Sequence, residues 1–372
     1  MRSDRRPIAI IAGTRPELIK LAPVYREFLK RRVPIQLWLT GQHTSLSEAP
    51  IEFFGLKPDL QWDVLRPGQS QNVLLAKLLG HLDEAITRVN PAAILVQGDT
   101  TSALAGGVAG FHRQIPVAHV EAGLRTGDLA APFPEEMNRR VIDSFARWLF
   151  APTVGAARTL KREGHRKLLQ PTGNTGIDAL LWAREKIRST EYWPAQIPKL
   201  EDGQRLILST GHRRENLGEP MKRILTALGR QIKKHPDLVL IHANHPNPAA
   251  TQSAAVAFKG IDRVYQVPAL SYPDFVALLD RAALVVSDSG GIQEEAPSFG
   301  VPVLITREVT ERPEVLKAGG RLVGTDPVKF VREFERVLKL KKPSRSGLIR
   351  SPFGDGRASS RIVNQILKDL KR

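Results

Sequence analysis

Residues 97–138, QGDTTSALAGGVAGFHRQIPVAHVEAGLRTGDLAAPFPEEMN, decide the fold, because two strand endings fall within them. The run AAILVQGD leading into the segment is apolar up to a glycine turn, and IPVAHVEAG repeats that arrangement after a helix-length stretch. Continuous apolar runs of this kind are strands of a parallel sheet covered on both faces. Asp99 and Glu121 then emerge at the carboxyl ends of strands, the edge where open α/β sheets bind ligands. Glu135 follows Pro132 and Pro134 at the start of a helix, on which Val141, Phe145, Trp148 and Leu149 are expected to share an apolar face. Taken singly, each acid has an ordinary explanation as a cap or a helix-dipole partner. Three of them in one segment, with HVEAGLRTGD between, point to chemistry.

Working outward, the same rhythm continues in both directions. IAIIAG precedes ELIKLAPVYREFLK, PIQLWLTG follows, and LFAPT precedes GAARTLKREG. Strand-helix alternation gives a parallel sheet with helices on its faces. Residues 188–205, RSTEYWPAQIPKLEDGQR, lose the rhythm and read as an interdomain linker. A second series then runs through RLILSTGH, PMKRILTALGRQIKKH, LVLIHANHPNP, YPDFVALLDRA, ALVVSDSGG and VPVLIT. The expected architecture is therefore α/β, with two doubly wound Rossmann-like domains and an active site in the cleft between them. The first covers residues 1–187 and is completed by a C-terminal helix at 357–372, and the second covers 206–356.

Composition narrows the function. Apolar residues make up 42% of 372, which suits ordinary cores, and no apolar stretch approaches the roughly 18 residues of a membrane helix. The start, MRSDRRPIAIIAG, runs directly into a strand and shows no export signal, and the chain has no cysteine, so a cytoplasmic location is expected. The net charge of +17 favours anionic ligands. Its excess lies in scattered pairs such as Lys233-Lys234 and Lys341-Lys342 without interleaved aromatics, so no nucleic-acid partner is expected.

Several loops carry further chemistry. In GTRPELIK, Gly13 permits a tight turn and Arg15 and Lys20 are expected to face the cleft, with the helix-start amides and Arg15 able to hold a phosphate. Neither a dinucleotide fingerprint nor a P-loop spacing is present, so no cofactor is expected. In SDSGGIQEEA, Ser289, Gly290 and Gly291 open a helix where amides can meet a diphosphate, and Glu295 is placed to accept hydrogen bonds from two ribose hydroxyls. Arg312, before Pro313, offers a second cation, and His212 a group to stabilise a leaving phosphate. His242 and His245 lack a ligand cluster, so metal is not expected. The remaining histidines, His119 among them, read as surface or packing residues.

Taken in order, GTRPELIK, TGQH, QGDTTSALA, HVEAGLRTGD, PFPEE, TGNTGIDAL, GHRREN, HPNP, SDSGGIQEEAPSFG, TERPE and FGDGRAS resemble the non-hydrolysing UDP-N-acetylglucosamine 2-epimerase family over nearly the whole chain. The resemblance implies a glycosyltransferase-B-like fold, a homodimer and interconversion of UDP-GlcNAc with UDP-ManNAc. It implies nucleotide and diphosphate contacts at Arg15, Lys20, Phe275, Ser289, Gly290, Gly291, Glu295 and Arg312, and a catalytic group of Asp99, Glu121, Glu135 and His212. It further implies a regulatory substrate site near Gln42, Glu136, Arg213 and His245. The chain departs from the family pattern after TGQH, where Thr44 to Ser47 read TSLS, and at Ala243 and around Phe353.

The chemistry agrees with this resemblance. No carbonyl acidifies the C2 hydrogen of an N-acetylhexosamine, so the economical route expels UDP from C1 while a carboxylate removes the C2 proton. Re-addition of UDP to the resulting 2-acetamidoglucal with a proton on the other face gives the epimer, a task for acids and bases in divided roles. A glycosyltransferase of the same fold would need an acceptor pocket and usually one base, and a nucleotide-sugar sensor would need no acids.

Overall fold

The computed structural model describes residues 5–41, 44–66, 68–165, 169–211, 218–244, 247–310, 312–340 and 351–370, apart from the side chains of 44–47, 170 and 249. The chain forms two compact units, Met1–Ala179 with Phe353–Arg372, and Leu180–Pro352.

In the first unit, the strands are β1 (Ile8–Ala12), β2 (Ile35–Leu39), β3 (Leu60–Gln61), β4 (Ala93–Gln97), β5 (Val117–Val120), β6 (Trp148–Ala151) and β7 (Leu169–Pro171). They form one seven-stranded sheet in the order β3-β2-β1-β4-β5-β6-β7. Every pair is parallel, with Ile10 beside Leu95 and Val96 beside His119. The helices are α1 (Arg15–Lys30), α2 (Thr44–Phe54), α3 (Gln71–Val89), α4 (Thr101–His112), α5 (Glu135–Phe145), α6 (Val154–Arg162) and the start of α7 (Thr175–Ser189), whose residues from Leu180 on belong to the second unit. Ile11, Trp38, Leu78, Ile94 and Val96 belong to a core with essentially no solvent exposure. The strand order reverses between β1 and β4, so the loops after those strands diverge and leave a crevice at their carboxyl ends. Those loops begin at Gly13 and Gly98.

The second unit repeats the plan with β8 (Arg205–Thr210), β9 (Leu238–Ala243), β10 (Val264–Val267), β11 (Ala282–Ser287), β12 (Val303–Ile305) and β13 (Gly320–Leu322), ordered β10-β9-β8-β11-β12-β13. Here the reversal lies between β8 and β11. Helices α8 (Glu219–Lys234), α9 (Pro248–Ala257), α10 (Tyr272–Arg281), α11 (Gly290–Ser298) and α12 (Pro327–Leu338) flank this sheet, and Leu240, Leu284, Phe330 and Phe334 are among its fully buried residues. The stretch 188–205, expected as an interdomain linker, is fastened to this unit. Asp280, almost wholly buried, takes Arg184 and Arg188 as ion partners at 2.8 Å, and Tyr192 Oη donates to Asp274 at 2.5 Å. A buried carboxylate demands such partners, and the arginines supply them.

Helix α13 (Ala358–Asp369) closes the first unit. The Asp178 carboxylate accepts the Ala358 and Ser359 amides at 3.1 and 2.7 Å and the Ser359 hydroxyl at 2.6 Å, which caps the helix. The Asn174 amide donates to the Phe353 carbonyl at 2.8 Å, and Trp148 Nε1 to Asp369 at 2.7 Å. These bonds give TGNTGIDAL and FGDGRAS a common purpose. Among the described residues, no helix is long and apolar enough to cross a membrane.

Candidate functional site

The first unit gathers its acids at the carboxyl ends of β4 and β5 and the start of α5. Glu121 is the residue after β5 and has a φ of 70°, a left-handed conformation that is uncommon and costly for a residue with a side chain. Its carboxylate is held from two sides: Lys20 Nζ lies 2.6 Å from Oε1, and Gln97 Nε2 donates to Oε2. Asp99 receives the guanidinium of Arg139 through both Nε and Nη2, and its carbonyl accepts Asn138 Nδ2 at 2.8 Å. Glu135, at the first position of α5, keeps a buried Oε2 with no hydrogen-bond partner among the described residues. The structure thus brings the three expected acids to one sheet edge. Two are clamped by cations, and one has an uncommitted oxygen.

Lys20 therefore stands on the Glu121 carboxylate, whereas the resemblance gave it to the nucleotide. The amides at the start of α1 also differ from expectation. Glu17, fully buried, accepts the Gly13 and Thr14 N–H groups at 3.0 and 2.7 Å and the Thr100 hydroxyl at 2.7 Å. The positive end of α1 thus carries an internal carboxyl group, which takes up the amides a phosphate would need. Burial raises the Glu17 pKa, against the opposing pull of these hydrogen bonds. Arg15 remains partly exposed on the first turn.

Glu136, expected at the regulatory site, is wholly buried. It accepts the Thr126 amide at 3.1 Å, Arg139 at 3.0 Å and Arg140 at 3.0 Å. Burial opposes its charge, but these donors hold it below the usual glutamate range. It fixes Arg139, which fixes Asp99. The buried face of α5 is accordingly polar, with Glu136, Asn138 and Asp143 beside Ile142. The expected apolar face does not form: Val141 is exposed, the helix ends at Phe145, and Trp148 and Leu149 lie in β6. Ala146, at φ −60° and ψ 133°, breaks the helical repeat.

His119 is the residue that sequence reasoning passed over. It has no solvent exposure, with Nδ1 2.6 Å from Asp143 Oδ1 and Nε2 2.7 Å from the Gly98 carbonyl. Asp143 Oδ2 meets the Gly123 amide at 3.1 Å and Arg125 Nη2 at 2.8 Å, and Arg125 also pairs with Glu163 at 2.7 Å. Burial disfavours a charge on His119, yet Asp143 outweighs it and holds the imidazole above its ordinary 6.5. Asp143 responds in kind: despite burial, His119 and Arg125 hold it below the ordinary carboxylate value. The signal was available in IPVAHVEAG, since a histidine inside a doubly covered strand must satisfy both nitrogens within the fold.

In the second unit, Asp288 is buried behind β11, and Ser289 is the N-cap of α11, whose first two residues are Gly290 and Gly291. The Ser289 amide donates to Ser287 Oγ at 3.0 Å, and its hydroxyl makes no capping bond. The Arg312 guanidinium lies over Gly290 and is anchored by Nε to the buried Glu294. Thr310 Oγ1 receives the Arg312 amide at 3.0 Å, which orders the loop before the 3-10 turn Pro313–Lys317. Gly291 and Glu295 are solvent-accessible on the same helix, and Phe275 is partly exposed on the first turn of α10. Amides of a helix start, an open glycine surface and an anchored guanidinium are groups that can hold a diphosphate. His212, Gln42, Arg213 and His245 lie outside the described residues.

Comparison with known proteins agrees with this geometry. A family profile described as UDP-N-acetylglucosamine 2-epimerase matches residues 27–367. The UDP-N-acetylglucosamine 2-epimerase of Yersinia pestis is 38% identical over 367 residues, 96% of this chain and 98% of that protein. The enzyme of that name from Escherichia coli K12 is also 38% identical over the same shares. Among solved structures, UDP-GlcNAc 2-epimerase from Neisseria meningitidis bound to UDP-GlcNAc is similar at a TM-score of 0.87 and 35% identity, covering 97% of this chain and 100% of that one. The Methanocaldococcus jannaschii UDP-GlcNAc 2-epimerase in complex with UDP-GlcNAc and UDP is similar at 0.78 and 30%, covering 97% and 99%.

Proposed function

The chain belongs to the UDP-N-acetylglucosamine 2-epimerase family, and we propose that it interconverts UDP-GlcNAc and UDP-ManNAc by elimination and re-addition of UDP. In the forward direction the C1–O bond breaks with its electron pair going to the UDP β-phosphate oxygen. The C2–H pair forms the C1=C2 bond of 2-acetamidoglucal, and a carboxylate keeps the proton. Protonation of C2 from the opposite face, with UDP returning to C1, completes the exchange.

The observation that carries this reading is the contrast among three acids at one sheet edge. Asp99 and Glu121 are each clamped by a cation, whereas Glu135 has a buried oxygen with no partner among the described residues. Clamped carboxylates act as fixed anions, and an uncommitted one is free to exchange a proton with substrate. We assign Glu135 the proton exchange at C2, with the glucal reoriented between removal and delivery, and Asp99 and Glu121 the electrostatic support. Ser289, Gly290, Gly291 and Arg312 receive the departing diphosphate, where one preorganised donor supplies about 3 kcal/mol. Glu295 accepts from the ribose hydroxyls, Phe275 packs on the nucleotide, Arg15 contributes a cation, and His212 supports the leaving group. A homodimer, supported by the family resemblance, and a cytoplasmic location, supported by a composition without cysteine, complete the proposal; light scattering tests the first.

Proton NMR of UDP-GlcNAc with the protein in deuterated water tests the function. Both epimers should appear with deuterium at C2. Conversion without solvent deuterium, or release of free sugar in place of UDP-ManNAc, would overturn it.

A further inference from the structure

Among the groups that the proposed reaction does not use, His119 is the most constrained. It touches no ligand position, yet it lies directly beneath the turn that carries Asp99. That turn is held at every residue: Gln97 reaches Glu121, the Gly98 carbonyl faces His119, the Asp99 carbonyl accepts Asn138, and the Thr100 hydroxyl donates to Glu17. Gly98 has a φ of 71°, so its peptide orientation is one of several accessible to glycine and needs an external restraint.

The protonation of His119 follows from its neighbours. A carbonyl oxygen can only accept, so Nε2 must carry a hydrogen toward Gly98. Asp143 already receives Arg125 and the Gly123 amide on its other oxygen, which fixes it as a carboxylate, so Nδ1 must carry a hydrogen as well. A neutral imidazole has one N–H and would leave one of these two buried acceptors facing a lone pair. The geometry is that of an imidazolium.

We propose that His119 is a positioning residue, an imidazolium that donates to the Gly98 carbonyl and thereby sets the Gln97–Asp99 turn and the two carboxylates attached to it. The inference rests on the epimerase reading above. Its cation is balanced by Asp143 from α5 and faces Asp99 at the end of β4. Around it stand Glu121 and Arg125 after β5, with Lys20, Arg139 and Glu163 paired to these groups in turn. Without the donor, the buried Gly98 carbonyl is left unsatisfied and its peptide turns away, which carries Asp99 and Gln97 with it. A displacement on the order of 1 Å at a reacting group costs about a hundred-fold in rate.

The test uses the full chain. With nitrogen-15 histidine and no substrate, long-range proton–nitrogen NMR should show both His119 ring nitrogens protonated at neutral and mildly alkaline pH. A bare nitrogen at neutral pH would overturn the proposal. His119→Gln should lower kcat for C2 deuterium exchange about a hundred-fold while the Kd for UDP stays within about two-fold. Asp143→Asn keeps the side-chain volume and His119 itself, and it carries the kinetic test if His119→Gln does not fold. Its neutralised partner should make kcat fall as pH rises from about 6 to 8, a dependence absent from the parent protein. A folded variant with parental kcat and an unchanged pH profile would show that His119 only packs. Ring protonation is read without substrate, so it decides this point even if the exchange assay fails and removes the functional reading.

Discussion

Gly290 and Arg312 compete for one volume: a Cβ on Gly290 would stand 2.7 Å from Arg312 Nη1. Such an approach is too short for either atom to tolerate, so a methyl group there moves the guanidinium. Gly291, one residue on, has no atom nearer than the 3.9 Å of a Glu295 oxygen. Gly290→Ala should therefore weaken UDP binding about ten-fold or more, as Arg312→Ala does, by loss of a charged hydrogen bond of about 1.5–3 kcal/mol. The double variant should lose little beyond either single one, since both act on the same guanidinium. Calorimetric titration with UDP reads both effects. Additive losses would show that the glycine acts independently of Arg312.

The acids should divide from the nucleotide contacts in the same assay. Asp99→Asn, Glu121→Gln and Glu135→Gln are expected to lower kcat by about a hundred-fold or more while UDP affinity stays within a few-fold. Arg15→Ala and Glu295→Ala should mainly weaken UDP. Lys20→Met should follow the acids, because its ammonium stands 2.6 Å from Glu121. Loss of UDP affinity in Lys20→Met with kcat retained would return that lysine to the diphosphate.

His242 makes the second unit sensitive to mild acid. Burial lowers its pKa from 6.5 to about 4. Its neighbour Ser209 Oγ, at 3.2 Å, offers no charge to offset that burial. Between these values the unfolded chain binds a proton that the native chain does not. Stability should therefore be fully present above about pH 6.5, fall as pH drops toward about 4, and level off below. The total is on the order of 3 kcal/mol. His242→Gln should flatten that dependence in urea titrations. His119 behaves oppositely: its contribution is complete below 6.5 and is lost only as pH rises through its elevated native value.

Substrate dependence should be close to hyperbolic, with UDP-ManNAc alone supporting the reverse reaction. The segment TSLS at Thr44 to Ser47 offers short side chains for a second ligand, and Glu136 is spent on Arg139, Arg140 and the Thr126 amide. Initial rates across UDP-GlcNAc concentration check this. Sigmoidal curves, with a reverse reaction that starts only once UDP-GlcNAc is added, would show a working second site.

The sheets were legible because parallel strands buried on both faces read as unbroken apolar runs, and the glycines that end them mark the functional edge. IAIIAG, AAILVQGD and ALVVSDSGG needed nothing more. The polar interior was harder to read. Glu136, Asn138 and Asp143 occupy the inner face of α5, where hydrophobic periodicity looks for leucines, and only their partners on distant segments make that burial tolerable. The same holds for Glu17, whose role depends on Thr100 across the sheet edge. Residues 188–205 lack rhythm because their attachment to the second unit runs through salt bridges, with Asp280 as the anchor.

The Asp178 cap on α13 also bears on the order in which the chain becomes whole during synthesis. The second unit is contiguous, Leu180–Pro352, and has all of its strands once it leaves the ribosome. The first unit, although its strands emerge earlier, waits for Phe353 to reach Asn174 and for α13 to meet Asp178. The half that holds the carboxylates is thus translated first and finished last, with the second unit free to fold in between. A chain that stops before Phe353 would hold a complete second unit and an unfinished first.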